Sequence, residues 1–299
     1  MRFKHMMEAQ KSYNSEVLCE KLKEGRDKLN VTNELGLKAY KALSELLHEA
    51  AKEDCDQTNL TFTSVDVLRY IMSILNVWDV NSSDVEDAFK IKDAQLSVAL
   101  DMSRNEWQNQ PVVIVDIDDV LAEFRGTFAN FLTEKFGIHA NPESKQYYFV
   151  EEVQQDGFNP EAVFKAFVDE GMFRELPVVP GAVEFLEGLK RKGYWVQLLT
   201  ARPKENKKIF YDTFYWLREN GIVFDDVDFS PEKFRWCASS KYYDKGGIYQ
   251  AIDDSPKHAI EYAKHGISVK VPIKSYNTDI TNSENIEHYT DLYELMEIL

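Results

Sequence analysis

The chain has 299 residues, 44% hydrophobic and 13% aromatic, enough apolar material for packed cores and too much for a disordered chain. Its formal charge of −16 repels phosphate backbones and so excludes a dedicated DNA- or RNA-binding protein as the leading reading. A small nucleotide stays open, because a bound cation and a few local positive groups can reverse the field inside one pocket. Cys19, Cys55 and Cys237 form no CxxC pair, which argues against a disulfide framework or a zinc ribbon and suits a reducing compartment. The first residues, MRFKHMMEAQKSYNSEV, show no apolar segment of signal-peptide length, and no run approaches the ~18 apolar residues of a membrane helix. The expectation is a soluble cytoplasmic protein without a membrane partner, in the host cytoplasm if the source is a virus.

In the N-terminal third, glycine and proline are scarce and apolar residues recur at helical spacing. LGLKAYKALSELLHEAAKE places Leu37, Tyr40, Leu43, Leu46 and Leu47 on one helix face. TSVDVLRYIMSILNVW reads as a second helix with Thr63 or Ser64 as N-cap. NSSDVEDAFKIKDAQLSVALDM opens a third, with Ser83 and Glu86 at capping-box spacing. Three helices with short polar links predict an all-α bundle over 1–105, able to mediate homo-oligomers. The polar stretch 103–111 is the natural boundary, leaving 106–299 as a second domain.

From Pro111 the texture changes. VVIVDI, WVQLLTA, IYQAIDD and ISVKVPI read as buried strands. They alternate with the helical stretches GAVEFLEGLKRKG, KIFYDTFYWLRENG and PKHAIEYAKHG, each closed by a glycine suited to a C-cap. This alternation predicts an α/β fold, a doubly wound and mainly parallel sheet. Ligands in such sheets bind beyond the carboxyl ends of the strands. Here one strand ends on Asp116, another on Thr200 and a third on Asp253 and Asp254, with Asp118 two residues past Asp116. Crowded carboxylates repel each other unless a cation joins them, and hard oxygen ligands beside a phosphate suit Mg²⁺.

DIDDVL, LLTARP and AIDDSP, in this order, resemble the first, second and fourth motifs of haloacid-dehalogenase-superfamily phosphatases, over roughly residues 111–290. The resemblance implies a Mg²⁺-dependent phosphomonoesterase working through an aspartyl-phosphate. Asp116 would be the nucleophile and Asp118 the proton shuttle, with Thr200 hydrogen-bonding the phosphoryl group. Asp253 would bind the metal together with the Asp116 side chain and the Asp118 backbone carbonyl, supported by Asp254. The family's third motif is a lysine, for which SPEKFRWCASSKYYDKGG offers Lys241 first, then Lys245, with Lys233 also available. The position after Asp118, commonly glycine in the family, is Asp119, a residue that tolerates left-handed turn conformations.

Between the first and second motifs, about residues 125–180, the resemblance implies a small helical cap. MFRELPVVPGAVEFLEGL, FYWLRENG and IDDSP are similar to the 5′(3′)-deoxyribonucleotidase branch, whose substrates are nucleoside monophosphates. In that branch an aromatic matching Phe124 stacks on the base, and Arg202 is placed to reach a phosphate or sugar oxygen. Two alternatives stand beside this reading: a polynucleotide 3′-phosphatase-like enzyme, and a non-catalytic nucleotide-binding or regulatory module retaining the fold. No GxxxxGK[ST] loop accompanies the motifs.

The N-terminal helices are also similar to MazG-like nucleotide pyrophosphohydrolases, which bind Mg²⁺ through EExxE and ExxD helices. The matching positions here are Ser44, Glu45 and His48, then Thr63 and Asp66, with Glu49 one position further on. Several carboxylates of that pattern are missing, so the resemblance implies a degenerate relative.

Overall fold

Val112–Val115 is a run of four β-branched residues, and it forms β1, the strand around which the rest of the sheet is arranged. The protein is described here by a computed structural model covering residues 10, 28–52, 56–104, 106–153, 158–280 and 284–298. It divides into two units, Met1–Lys90 and Ile91–Leu299.

The first unit contains α1 (Lys28–Ala50), α2 (Gln57–Val77) and the first turns of α3 (Ser82–Arg104). Val31 at the start of α1 packs with Val77 at the end of α2, so the two helices run antiparallel. Two helices can bury only a narrow seam between them. The expected apolar face of α1 lies largely outside it, leaving Leu37 and Tyr40 72% and 73% exposed. The caps also differ from expectation. The N-cap of α2 is Asp56, whose carboxylate accepts from the amides of Thr58 and Asn59. Thr63 and Ser64 lie a turn or more inside the helix, where their hydroxyls donate to the carbonyls of Asn59 and Leu60. At α3 the side chain of Asn81, not Ser83, accepts the Asp84 amide at 2.9 Å. By length and composition α2 is long and apolar enough to cross a membrane, contrary to the expectation that no run approaches that length.

The second unit carries a six-stranded, wholly parallel sheet in the order β3-β2-β1-β4-β5-β6. Its strands are β1, β2 (Trp195–Thr200), β3 (Asp226–Phe229), β4 (Ile248–Ile252), β5 (Ser268–Pro272) and β6 (Ile286–Tyr289). Side chains alternate across a strand, so β1 feeds two cores. Val113 and Val115 join one apolar cluster, and Val112 and Ile114 join the other, which explains the unbroken apolar run. The four strongly apolar strands match the sequence reading. The two edge strands, DVDF and IEHY, were not expected, because half their residues are polar and only two of the four positions in each are buried. The last turns of α3 contribute Val98 and Met102 to this unit's core, and the division between the two units falls inside α3.

The helices of this unit are α4 (Phe124–Phe136), α5 (Pro160–Asp169), α6 (Ala182–Arg191), α7 (Lys207–Glu219), α8 (Lys233–Ser239), α9 (Pro256–Lys264) and α10 (Leu292–Ile298). Gly193, Gly221 and Gly266 follow α6, α7 and α9 at φ of 86°, 63° and 77°, the left-handed conformation that lets a helix stop. The connection from β1 to β2 leaves and re-enters the sheet through two adjoining strands of backbone, joined where Ala122 bridges Val178. Between them, α4, α5 and two short 3₁₀ turns form a small helical cap. Phe124, Phe128, Phe131, Phe164, Phe167 and Phe173 meet there in stacked and edge-to-face contacts.

Candidate active site

The strand order places β1 between β2 and β4, and parallel pairing brings their carboxyl ends to one rim. Val115 pairs with Leu198 on one side and Ile252 on the other, and the Asp116 amide donates to the Ile252 carbonyl at 2.9 Å. Asp116, Thr200 and Asp253 therefore lie at the ends of three adjacent strands. The chain leaves β1 toward β2 and β3, then returns to β4, β5 and β6, so this rim is also the switch point of the topology.

Asp116, Asp253 and Asp254 are all buried, and each offers an oxygen within 4.8 Å of the others. No other cluster of this kind occurs among the described residues. Burial raises the Asp116 carboxyl to about 6, with Asp253 and Asp118 adding to the rise and Lys233 opposing it. Asp254 is also held well above the usual carboxylate range, by burial first and then by Asp116 and Asp253. Its Oδ2 accepts from the Tyr276 hydroxyl at 2.7 Å, whereas Oδ1 has no hydrogen-bond partner among the described residues. A buried carboxylate oxygen without a donor, beside two more acids, is a fitting ligand for a hard divalent cation.

Lys233 is fully buried, and its ammonium lies 2.8 Å from Asp116 Oδ1 and 2.7 Å from Asp253 Oδ2. Burial alone would lower its pKa, but the two carboxylates outweigh that and hold it above the ordinary lysine value. The expected choice, Lys241, lies elsewhere: its ammonium sits over the rings of Trp195 and Tyr242, and Trp195 begins β2 at the opposite rim. Lys245 lies over Trp107, ahead of β1, and is likewise far from the acids in the topology. The geometry follows from β3. Lys233 opens α8 just after the carboxyl end of β3, while Lys241 follows that helix on its way to the amino end of β4.

Thr200 is buried at the end of β2, where its hydroxyl accepts the Arg202 amide at 3.2 Å. Asp118 is partly exposed, and its carboxylate receives the Arg202 guanidinium in a two-pronged contact, with Nη2–Oδ1 at 2.6 Å and Nε–Oδ2 at 3.0 Å. Asp119 adopts φ 56°, the turn conformation expected where the family has glycine, and its Oδ1 accepts the Arg125 amide at 3.0 Å. Phe124 is packed between Phe128 and Phe173 at ring-centre distances of 5.7 and 5.8 Å, half-buried at the start of the cap.

Several residues with evident work here went unmarked in the sequence. Arg125 is buried and donates to the carbonyls of Pro142, Ser144, Gln146 and Tyr147, drawing that loop together. Its guanidinium lies over Phe149 at 4.4 Å and Tyr276 at 4.5 Å. Tyr147, carried by that loop, meets the Tyr276 ring edge-on at 5.5 Å, and the Tyr276 hydroxyl donates to Asp254, which places the loop beside the acids. No local pattern announces such contacts, since they join Arg125 to residues as far along the chain as Tyr147 and Tyr276.

In the first unit no group of three acidic or histidine side chains gathers as metal ligands among the described residues. Glu49 is spent on Lys52, the Asp56 amide and Asn59, tying the end of α1 to the start of α2. Glu45 is exposed and lies 3.9 Å from Lys41.

Residues 110–299 match the profile of the family described as 5′ nucleotidase, deoxy (pyrimidine), cytosolic type C protein. A Bacillus cereus protein provisionally named a nucleotidase is 26% identical over 191 residues, covering 61% of this chain and 96% of that protein. A Chlorobaculum tepidum protein provisionally named a 5′(3′)-deoxyribonucleotidase is 26% identical over 170 residues, 54% of this chain and 77% of its own length. Among solved structures, CbbY from Rhodobacter sphaeroides in complex with phosphate aligns at a TM-score of 0.44 and 14% identity, covering 62% of this chain and 96% of that one.

Proposed function

We propose, from the premise that this chain belongs to the 5′ nucleotidase, deoxy (pyrimidine), cytosolic type C family, that it is a phosphatase hydrolysing nucleoside monophosphates with Mg²⁺ through a phosphorylated Asp116. The observation that carries this reading is the convergence of Asp116, Asp253 and Asp254 around one point, with Lys233 bridging the first two and Asp118 two residues along. A pure binding module has no use for a second acid at that spacing.

In this reading the Asp116 carboxylate attacks phosphorus. The ester P–O bond breaks with its electron pair moving to the leaving oxygen, which takes a proton from Asp118. Water then attacks the acyl-phosphate and gives its proton to Asp118, and the P–O bond to Asp116 breaks to restore the carboxylate. Thr200 supplies a hydroxyl at the end of β2 for a phosphoryl oxygen, and Lys233 holds Asp116 in place and supplies positive charge. Asp116, Asp253 and Asp254 would hold Mg²⁺, whose contribution is to neutralise charge between the attacking carboxylate and the phosphate. Phe124, at the cap's edge, is the ring proposed to meet the base, and the family's cytosolic setting is proposed for this chain as well.

The deciding experiment is phosphate release by the purified full chain from all ribo- and deoxyribonucleoside 5′- and 3′-monophosphates and from sugar phosphates, with Mg²⁺ and with EDTA. Deoxypyrimidine 5′-monophosphates should be turned over, EDTA should stop the reaction, and Asp116→Asn should abolish it. A preference for sugar phosphates would discard the nucleotidase reading, and turnover by Asp116→Asn would discard the nucleophile.

A further inference from the structure

The cations at this rim divide the carboxylates between them. Lys233 takes Asp116 and Asp253, while Asp118 is left to Arg202. The sequence suggests Arg202 as a contact for phosphate or sugar, but its side chain is otherwise engaged. Nε donates to both oxygens of Asp118 at 3.3 and 3.0 Å, and Nη2 donates to Oδ1 at 2.6 Å. Nη1 donates to Thr213 Oγ1 at 2.9 Å, and Thr213 is oriented by donating to the Ile209 carbonyl at 2.8 Å, inside α7. One flat face of the guanidinium is covered by the Phe173 ring at 4.6 Å. The backbone is fixed as well, by the bond from the Arg202 amide to Thr200. The two partners differ in exposure: the Arg202 side chain is 2% exposed and that of Asp118 is 26%. The carboxylate is thus the member open to an incoming molecule, and the guanidinium lies behind it.

We infer that Arg202 is a positioning residue for Asp118 and not a substrate-binding one. It fixes the carboxylate that moves the proton to the leaving oxygen and later takes one from water. The inference rests on the phosphatase reading above and deepens it. Its physical basis is the planar fork, which sets both the position and the rotation of a carboxylate; an ammonium, as a point charge, sets only position. Thr213 and Phe173 in turn fix the fork, so the orientation of Asp118 derives from α7 and the returning end of the cap. A catalytic acid held this way gains from geometry that need not be assembled during the reaction.

The leaving group separates this role from phosphate binding. A nucleoside leaves as an alkoxide and needs a proton, whereas 2,4-dinitrophenolate leaves without one. The full-length protein with Mg²⁺ is assayed on its best nucleoside monophosphate in the steady state and on 2,4-dinitrophenyl phosphate for the first-turnover burst. Arg202→Ala, Arg202→Lys and Asp118→Asn are compared with the double variant Arg202→Ala/Asp118→Asn. For Arg202→Ala, kcat on the nucleotide should fall about 10²-fold with KM within about threefold of the unaltered protein, since general acid–base catalysis contributes on this scale. That loss should exceed the loss of burst rate at least about 30-fold, as for Asp118→Asn. The double variant should be no worse than Asp118→Asn alone, and Arg202→Lys, which keeps the charge and packs more conservatively, should show a smaller loss with the same selectivity for the nucleotide. A raised KM at unchanged kcat, equal losses on both esters, or additive losses in the double variant would overturn the positioning role while leaving the phosphatase reading intact. No turnover of either ester by the unaltered protein would overturn both.

Discussion

Lys233 Nζ lies 2.8 Å from Asp116 and 2.7 Å from Asp253, so a single buried ammonium joins the ends of β1 and β4. Removing one partner of a buried ion pair strands the other charge, at a cost of about 3–5 kcal/mol. Lys233→Met should therefore destabilise the metal-free protein by roughly that amount, read from urea unfolding in EDTA. Mg²⁺ should restore part of the loss, because the carboxylates regain a cation. Wild-type stability in the Lys233→Met protein would mean that the acids are neutral without the lysine.

The unpartnered Oδ1 of Asp254 makes a second expectation about the metal. A ligand that binds only the folded state stabilises it by about 2.7 kcal/mol at a hundredfold excess over its Kd. Thermal unfolding of the unaltered protein should shift upward with added Mg²⁺. In Asp254→Asn the shift should shrink, while the metal-free protein should be at least as stable as before, since a repelling charge is gone. An undiminished Mg²⁺ shift in that variant would place the ion elsewhere.

Asp116 also sets a pH dependence. Burial pushes its folded-state carboxyl up to about 6, against about 3.9 in an unfolded chain. The folded state therefore holds the proton more tightly, and this group's contribution to stability is full below about pH 4 and lost as pH rises through about 6. On the order of 2–3 kcal/mol should disappear across that window in EDTA. The contrast between the unaltered protein and Asp116→Asn isolates it: the Asn variant should lack this part of the slope. Parallel pH profiles of the two proteins would show that Asp116 does not titrate there.

Arg125 gathers four carbonyls of the Pro142–Tyr147 loop between two aromatic rings. Arg125→Leu keeps bulk but leaves those acceptors without a donor, at about 1–3 kcal/mol for each that water cannot reach. Limited proteolysis should cut the variant within 142–147 faster than the unaltered protein. Equal cleavage rates in both would indicate that the loop is held by other means.

The strand–helix alternation after Pro111 and the acids at the ends of β1 and β4 were legible in the sequence, because both are local. A run such as Val112–Val115 is buried on both faces wherever it packs, and a polar residue directly after it must emerge at the strand's end. The caps of α2 and α3 were misread for a related reason: several Ser, Thr, Asn and Asp residues stand near each start, and only the backbone geometry selects Asp56 and Asn81. The exposed face of α1 shows the limit of periodicity, which marks an apolar stripe without saying what covers it.

Which lysine meets the acids was a matter of tertiary structure. Lys233 and Lys241 are eight positions apart in one polar stretch, and nothing local separates them; the edge strand DVDF does, by ending at the rim where Lys233 begins α8. The same holds for Arg202, which stands two positions after Thr200 at the end of β2 but whose guanidinium turns to Asp118, 84 residues earlier. Sequence specifies which residues can carry charge and where each strand ends, since those depend on neighbours along the chain. Pairing one charge with another depends on strand order and on the direction of each connecting helix, and these are decided only when the sheet is assembled.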